Sequence, residues 1–250
     1  ISTILPSLPE QQKIAAFLTA VDKKIQQLRR KRELLAAYKK GLMQKLFSRE
    51  LRFRDENGED FPEWSDRNFQ DILFEHKGKS TGVEEVYSVS VHKGLVNQVE
   101  HLGRSFAAAS TNHYNLVKPH DIVYTKSPTG EFPFGIIKQS KVKKNVIVSP
   151  LYGVFTPENE SLGFILDAFF ESSINAHNYL HSIIQKGAKN TINITNKTFL
   201  SKSLRLPIDE KEMQKMAEFI RTIDVRIFQM QQQIGSIEQF KKALLQQMFV

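Results

Sequence analysis

One long sequence motif occurs twice in this chain, 202 residues apart. Residues 12–47 and 214–249 are its two copies, and each is preceded by a Leu-Pro pair. Gln12-Lys13-Ile14 returns as Gln214-Lys215-Met216, and Asp22 returns as Asp224. Because the two copies have the same pattern, we expect them to adopt the same local structure, and the stretch between them to fold differently.

Each copy has the apolar period of a coiled-coil helix. Steps of alternately four and three residues from Ile14 reach ten positions, eight of them apolar, and the same steps from Met216 reach nine apolar positions of ten. A period of 3.5 residues favours helices that wind around each other. The predicted seam is Ile14, Leu18, Val21, Ile25, Leu28, Leu35 and Leu42 in the first helix and Met216, Ile220, Ile223, Ile227, Met230, Ile234, Ile237 and Leu244 in the second.

A lysine interrupts this seam at the same place in both copies, as Lys39 and Lys241. A polar residue at such a position can fix the register or the partner of a helix. Alternatively, its methylene groups can cover the edge of the seam while the ammonium group stays in water. The sequence leaves both interpretations open.

The start of the first helix is also visible. Ser7 is a suitable N-cap, Pro9 fits the first turn, and Glu10 complements the positive end of the helix. Each helix should run for about 39 residues, which is roughly 58 Å at 1.5 Å per residue. Gly41 should cost about 1 kcal/mol relative to Ala243 in the second copy, and we expect the helix to continue through it.

Composition limits the classes of protein that this chain can belong to. Its 250 residues allow one or two domains, and the absence of cysteine excludes disulfides and thiolate chemistry. No apolar run approaches the length of a membrane span, so we expect a cytoplasmic protein without a membrane anchor. The net charge is +8, and the stretch from Asp22 to Arg54 has twelve Lys or Arg residues against three Asp or Glu. This favours a polyanion or an acidic protein as partner.

The stretch between the helices has the pattern of a mixed α+β domain. Alternating or β-branched runs predict strands, and they are followed by a predicted helix from residue 161 to about 184. Strands followed by a helix at this length indicate an α+β fold. The predicted strands are residues 86–91, 121–125, 134–137, 145–149 and 151–155.

Motifs of the common enzyme classes are missing from the sequence. It has no Gly-rich dinucleotide loop, no Walker loop and no Gly-x-Ser-x-Gly elbow, and we predict no cofactor and no metal. His177 and His181 have helical spacing, but a metal site needs a third ligand that the sequence does not indicate. A nuclease would need a metal-binding carboxylate cluster, and the acidic residues near one another are Asp55, Glu56, Glu59 and Asp60.

Several motifs together resemble the specificity (S) subunit of type I restriction-modification systems. They include the repeat with its Leu-Pro start, the Leu42-Met43-Gln44-Lys45-Leu46-Phe47 ending and the aromatic segment that reaches Trp64. The segments from Lys118 to Tyr124 and from Val148 to Phe155 also fit. The resemblance covers essentially the whole chain.

The resemblance implies a protein without catalysis of its own. It implies a target recognition domain that reads one half of a bipartite site in double-stranded DNA, between two long helices that pack as an antiparallel coiled coil. It also implies methylation subunits, which use S-adenosylmethionine, and restriction subunits as partners. The expected domains are residues 1–50 for the first helix, 51–206 for the recognition domain and 207–250 for the second helix.

This chain departs from the family pattern, because it has one recognition domain where the family has two. We therefore expect either the C-terminal portion of a full subunit or a natural half-subunit. A half-subunit could form a homodimer through its helices.

Loop residues between the predicted strands are the candidates for DNA contact, since polar side chains on loops bind phosphates or read base edges. Arg104 and Asn112, in the polar stretch before Tyr114, are weaker candidates. The candidates are Lys93, Arg104, Lys126, Ser127, Thr129, Lys186, Lys189 and Asn190. The rival hypothesis is a coiled-coil module for protein interaction, without any role on DNA.

Overall fold

The computed structural model describes residues 6–102, 110–186 and 192–248. The chain divides into two compact units. One unit, the helix pair, comprises Ile1–Leu51 and Glu218–Val250, and the other, the globular unit, comprises Arg52–Ala217. The first residues of the second helix, up to Ala217, belong to the globular unit.

Helices and strands alternate irregularly along the chain, as an α+β fold requires. The helices are α1 (Leu8–Phe47), α2 (Phe69–Ile72), α3 (Gln98–Leu102), α4 (Glu160–Phe170), α5 (Ser173–His181), α6 (Asn196–Phe199) and α7 (Glu210–Met248). The strands are β1 (Ser65–Asn68), β2 (Leu73–Glu75), β3 (Tyr87–Ser90), β4 (Gly94–Asn97), β5 (Asn115–Val117), β6 (Ile122–Tyr124), β7 (Ile137–Gln139), β8 (Val146–Val148), β9 (Gly153–Pro157), β10 (Gln185–Lys186), β11 (Ile192–Asn193) and β12 (Ser203–Leu206).

Helix α1 begins where the sequence predicts. Ser7 is its N-cap, and the backbone N–H of Ser7 donates a hydrogen bond of 3.0 Å to the carboxylate of Glu10. Hydrogen bonds from the backbone and side chain of Ser7 lower the pKa of Glu10. The helix continues through Gly41 and has 40 residues, which corresponds to about 60 Å.

Polar contacts join α1 to α7 within the helix pair. Asp22 contacts Lys241, Arg29 contacts Glu238, Arg32 contacts Gln231, and Lys39 contacts Asp224. Residue numbers rise along α1 as they fall along α7, so the two helices are antiparallel. The prediction of an antiparallel pair is confirmed.

Two of these contacts are copies of each other. Lys39 Nζ lies 2.7 Å from Asp224 Oδ1, and Lys241 Nζ lies 2.5 Å from Asp22 Oδ1. A shift of 202 residues converts Asp22 to Asp224 and Lys39 to Lys241. Each lysine that interrupts the seam therefore binds the repeated aspartate of the other helix. These contacts give a structural basis to the interpretation that the lysines fix the register of the two helices.

The predicted seam residues lie on α1 and α7, and each of them is buried or half-buried. Ile25, Ile220, Ile223 and Ile234 are the most deeply buried of those in the helix pair. Met216 is also buried, but it belongs to the globular unit.

The globular unit is built on a four-stranded antiparallel sheet with the order β2-β9-β6-β7. Phe155 of β9 pairs with Glu75 of β2 on one side and with Ile122 of β6 on the other. Tyr124 of β6 pairs with Gly153 of β9 and with Ile137 of β7. Separate two-stranded ladders join β1 to β12, β3 to β4, β5 to β8, and β10 to β11.

The two faces of the sheet bury different kinds of side chain. On one face Phe199 of α6 stacks on Tyr124 at 4.9 Å and on Phe155 at 5.1 Å between ring centroids, and aromatic residues of α2, α4 and α5 continue this layer. The other face packs against an aliphatic cluster that joins the sheet to β4, β5 and β8. Its buried members are Leu95, Val117, Val123, Val146, Val148 and Val154.

Two predictions of secondary structure are wrong. The single helix predicted from residue 161 to about 184 is two helices, because Ser172 caps a new one: its side chain accepts a hydrogen bond of 3.4 Å from Asn175 N. The strand predicted at 134–137 begins at Ile137 instead, because Gly135 has a φ of +103° and forms a turn.

The lysine–aspartate contacts predict a test of helix register. Asp224→Lys should lower the free energy of unfolding by about 2 kcal/mol, since Lys39 is nearly buried and would lose a charged hydrogen-bond partner. Combining Asp224→Lys with Lys39→Asp should restore most of the loss. Chemical denaturation of the four proteins of this double-mutant cycle measures the coupling, and a coupling near zero would show that the pair does not hold the helices.

Candidate nucleic-acid interface

The carboxyl ends of β2 and β6 point to the same edge of the sheet, because both strands run antiparallel to β9. The connection from β6 to β7 and the residues before β9 also lie at this edge. It therefore gathers Lys126, Ser127 and Thr129, three of the predicted DNA-contacting residues. We use the name Lys126 edge for this end of the sheet, where β2 and β6 finish and β9 begins.

A tight hairpin holds the three residues at the Lys126 edge. Ile136 N donates a hydrogen bond of 2.9 Å to Thr125 Oγ1, and Thr129 and Phe132 exchange backbone hydrogen bonds. Gly135 closes the hairpin: a Cβ atom at this position would lie 2.8 Å from Lys126 N. Only glycine fits this contact and this positive φ without strain.

Lys126 is the most unusual of the predicted residues. It has a φ of +59°, which is rare for a residue with a side chain, and its side chain is partly buried. Burial lowers the pKa of its amine, and the nearby carboxylate of Glu75 acts in the opposite direction. Strained, partly buried basic residues occur more often at functional sites than on ordinary surfaces.

Asn196 and Gly153 complete this edge. Asn196 Nδ2 donates a hydrogen bond of 2.7 Å to Glu75 Oε1. A Cβ atom on Gly153 would lie 2.9 Å from Asn196 Oδ1, so glycine leaves the room that the amide occupies. Glu75 and Asn196 were not among the predicted residues, and they are 121 positions apart, so no spacing in the sequence could join them.

Three rings form an exposed cluster beside the hairpin. His177 and His181 of α5 stack at 5.3 Å, and Phe134 lies 5.1 Å from His177 and 5.9 Å from His181 between centroids. Tyr124 Oη donates a hydrogen bond of 2.7 Å to the carbonyl of Phe134, which fixes the base of the cluster. Within residues 6–102, 110–186 and 192–248, no three His, Cys, Asp or Glu residues are placed to hold a metal ion.

Two further predicted DNA-contacting residues lie in other loops of the globular unit. Lys93 is exposed in the separate turn between β3 and β4, and Asn112 is exposed in the turn before β5. The backbone of Lys186 ends β10. Arg104, Lys189 and Asn190 lie outside the described residues.

The acidic cluster that a nuclease would need is used for a turn. Asp55 accepts hydrogen bonds from the backbone N–H groups of Asn57 and Glu59, at 2.8 and 2.9 Å. The bond from Glu59 is the main cause that lowers the pKa of Asp55. Asp60 lies 3.3 Å from Arg54. The carboxylates of Asp55 and Asp60 therefore stabilise the turn, and no three of the described acidic groups are placed to hold a metal ion.

The positive charge is divided unevenly between the two units. Residues 52–217 contain twenty Lys and Arg residues and twenty Asp and Glu residues, so the globular unit has a formal charge of zero. The helix pair contains the other fifteen Lys and Arg and seven Asp and Glu, and therefore carries the whole +8. A DNA contact by the globular unit must then depend on local groups and not on its total charge.

No protein-family model matches the sequence, and no curated protein matches it. Solved structures do. The S subunit of the type I restriction-modification system of M. genitalium superposes with a TM-score of 0.61 at 14% identity, over 98% of this chain and 62% of that chain. This chain has the fold of a type I S subunit.

A second S subunit, HsdS from Thermoanaerobacter tengcongensis, matches with a TM-score of 0.48 at 14% identity, over 98% of this chain and 59% of that chain. The fold assignment rests on the first structure. This chain therefore spans about three fifths of the S subunits that it matches. None of the described helices is both long enough and apolar enough to cross a membrane.

The hairpin geometry predicts opposite effects for the same substitution at two glycines. Gly135→Ala should destabilise the protein by about 1–3 kcal/mol, because its φ is positive and its Cβ atom would collide with Lys126 N. Gly41→Ala, in α1 with nothing within 4 Å of the new Cβ atom, should stabilise it by up to about 1 kcal/mol. Thermal unfolding of the two variants measures both effects. Equal shifts of Tm would show that Gly135 has no special backbone requirement.

Proposed function

We propose that this chain is a specificity subunit of a type I restriction-modification complex. The globular unit reads one half of a bipartite site in double-stranded DNA, and the helix pair acts as a scaffold and spacer. The chain has no catalytic activity of its own, and it works in the cytoplasm with methylation and restriction subunits. The observation that carries this proposal is the S-subunit fold over 98% of the chain.

The helix pair is suited to a spacer. Its two long helices are held antiparallel by an apolar seam and by the reciprocal contacts Asp22–Lys241 and Lys39–Asp224. A helix of 40 residues spans about 60 Å, which corresponds to roughly 18 base pairs of DNA at 3.4 Å each. The net charge of +8 lies on this unit. A positive charge favours the docking of acidic partner subunits or attraction to DNA.

The Lys126 edge is suited to the reading of DNA. It places an amine and two hydroxyls on the loop after β6, a carboxylate at the end of β2 and an amide at the start of α6. Lysine and hydroxyl groups bind phosphates and set the register, and a few side chains read base edges. The neutral charge of the globular unit agrees with this division, since recognition then depends on a few groups in fixed positions.

The same repeat supports homodimers as a second part of the proposal. Asp22 and Lys39 of one helix are complementary to their own copies, so two chains could pair their helices with the contacts seen in one chain. Size measurement of the purified chain tests this: a dimer that is lost in the Lys39→Asp and Lys241→Asp double variant supports it, and a monomer at high protein concentration contradicts it.

Sequencing of DNA methylation tests the main proposal directly. Cells that express this chain with its methylation subunit should contain methylated bases in one bipartite motif, and cells that express the methylation subunit alone should not. A palindromic motif would indicate paired half-subunits, and an asymmetric one a longer parent protein. Identical methylation with and without this chain would refute the specificity role and favour the rival interpretation, a coiled-coil module for protein interaction.

Charge reversal at the Lys126 edge tests where the DNA binds. Lys126→Glu should weaken binding to all duplexes alike and reduce the slope of log K against log salt by about one unit, as expected for one lost phosphate contact. Lys143→Glu is the matched control, because Lys143 is an exposed lysine in the loop that follows β7, at the opposite edge of the sheet. Binding is measured at several salt concentrations. If the two variants lost DNA affinity equally, DNA would not bind specifically at the Lys126 edge.

A further inference from the structure

An exposed carboxylate lies where DNA phosphates are expected. Glu75 ends the edge strand β2, and its side chain lies close enough to Lys126 to affect the amine electrostatically. A carboxylate repels phosphate oxygens, so it cannot hold the backbone of a duplex. On DNA it can accept hydrogen bonds from the amino groups of bases.

A hydrogen bond from Asn196 orients the carboxylate of Glu75. Asn196 Nδ2 donates to Glu75 Oε1 at 2.7 Å, and Asn196 itself is the first residue of α6. Thr195 caps that helix by accepting a hydrogen bond of 3.1 Å from Thr198 N. The space for the amide exists because Gly153 has no side chain. A side chain oriented by its neighbours loses less entropy when it binds, which favours a specific contact.

One oxygen of this carboxylate remains available. Among the residues that the structure describes, Glu75 Oε2 accepts no hydrogen bond, whereas Oε1 is occupied by Asn196. The amine of Lys126 lies on the same edge as a neighbouring donor. The edge therefore offers an acceptor at Glu75 beside the phosphate-binding amine of Lys126, and the amino group of a base in the major groove requires such an acceptor.

We propose that Glu75 is a base-reading residue whose Oε2 accepts a hydrogen bond from the amino group of a cytosine in the major groove, with Asn196 and Gly153 as positioning residues. This rests on the proposed DNA-binding function. Cytosine fits better than adenine, because cytosine presents only its N4 amino group there. Adenine also presents the N7 acceptor, which would face the carboxylate unfavourably.

A structural role for Glu75 predicts something different. If the carboxylate only held Lys126 in place, its removal would weaken binding to every sequence by a similar factor and would not change the preferred base at any position. A base-reading role predicts a change at one position of the site, with the other positions unaffected.

Selection from duplexes with a randomised centre separates the two roles. The full chain, bound to its methylation subunit, is used with either Glu75 or the isosteric Glu75→Gln. Glutamine keeps an oxygen for Asn196 and replaces Oε2 by an NH2 donor. The preference for cytosine at one position should fall about tenfold or more, and guanine or thymine, which present acceptors, should gain at that position.

Three further proteins control the experiment. Glu56→Gln removes an exposed carboxylate from the turn near Asp55 and should leave every position unchanged. Asn196→Ala keeps Glu75 but removes its donor, and should weaken the cytosine preference at the same position. A Cβ atom on Gly153 would meet both Asn196 Oδ1 and the buried Phe155 ring at 2.9 Å, so Gly153→Ala should also weaken the cytosine preference, together with a loss of stability.

The outcomes distinguish this inference from the function on which it rests. If the protein with Glu75 enriches a motif and Glu75→Gln and Asn196→Ala enrich the same motif with the same preferences, Glu75 does not read a base, and the specificity role stands. A uniform loss for all duplexes also overturns the inference, since it indicates a structural carboxylate. If the unaltered protein enriches no motif, the proposed function itself fails.

Discussion

The reciprocal contact between lysine and aspartate is the interaction on which the architecture of the helix pair depends. A seam of apolar residues at 3.5-residue spacing brings two helices together, but it permits several registers and both directions. Lys39 and Lys241 interrupt the seam, and each meets the repeated aspartate of the other helix. A register shift would separate the nearly buried ammonium group of Lys39 from the carboxylate of Asp224, and the loss of a charged partner in a buried place costs free energy.

The repeat thus has a structural consequence beyond similarity of sequence. Because each copy carries both the aspartate and the lysine, the antiparallel pair has an internal two-fold relation, and each helix is complementary to its own copy. A surface of this kind presents the same groups in two opposite orientations. It supports the two proposals made above, a scaffold role and a homodimer.

The net charge lies on one unit, and the candidate interface lies on the other. The helix pair carries the entire net charge of +8, and the globular unit is formally neutral. The basic run between Asp22 and Arg54 therefore says little about the loops of the globular unit. The candidate interface in that unit depends on individual groups placed by the sheet: the strained backbone at Lys126, the glycine at position 135 that permits it, and the carboxylate of Glu75 oriented by Asn196.

The sequence by itself determined the parts of this protein that depend on local periodicity. The two long helices, the N-cap at Ser7, the seam and the α+β character of the middle segment follow from spacing and propensity, which act between residues close in the chain. Three of the predicted DNA-contacting residues share one hairpin for the same reason. The sequence failed where a short polar cap competes with helix periodicity, as at Ser172, and where a glycine bends a β-branched run, as at Gly135.

Only the tertiary structure decided which distant residues meet. Glu75, Gly153 and Asn196 come together because β2, β9 and α6 pack side by side, although long stretches of chain separate them. The same holds for Phe134 with the two histidines of α5, and for Trp64, whose indole N–H donates to the buried Glu212 at 3.1 Å. The order and register of the strands determine such contacts. Strand order and register depend on how the whole core is buried, and no single segment of the sequence determines them.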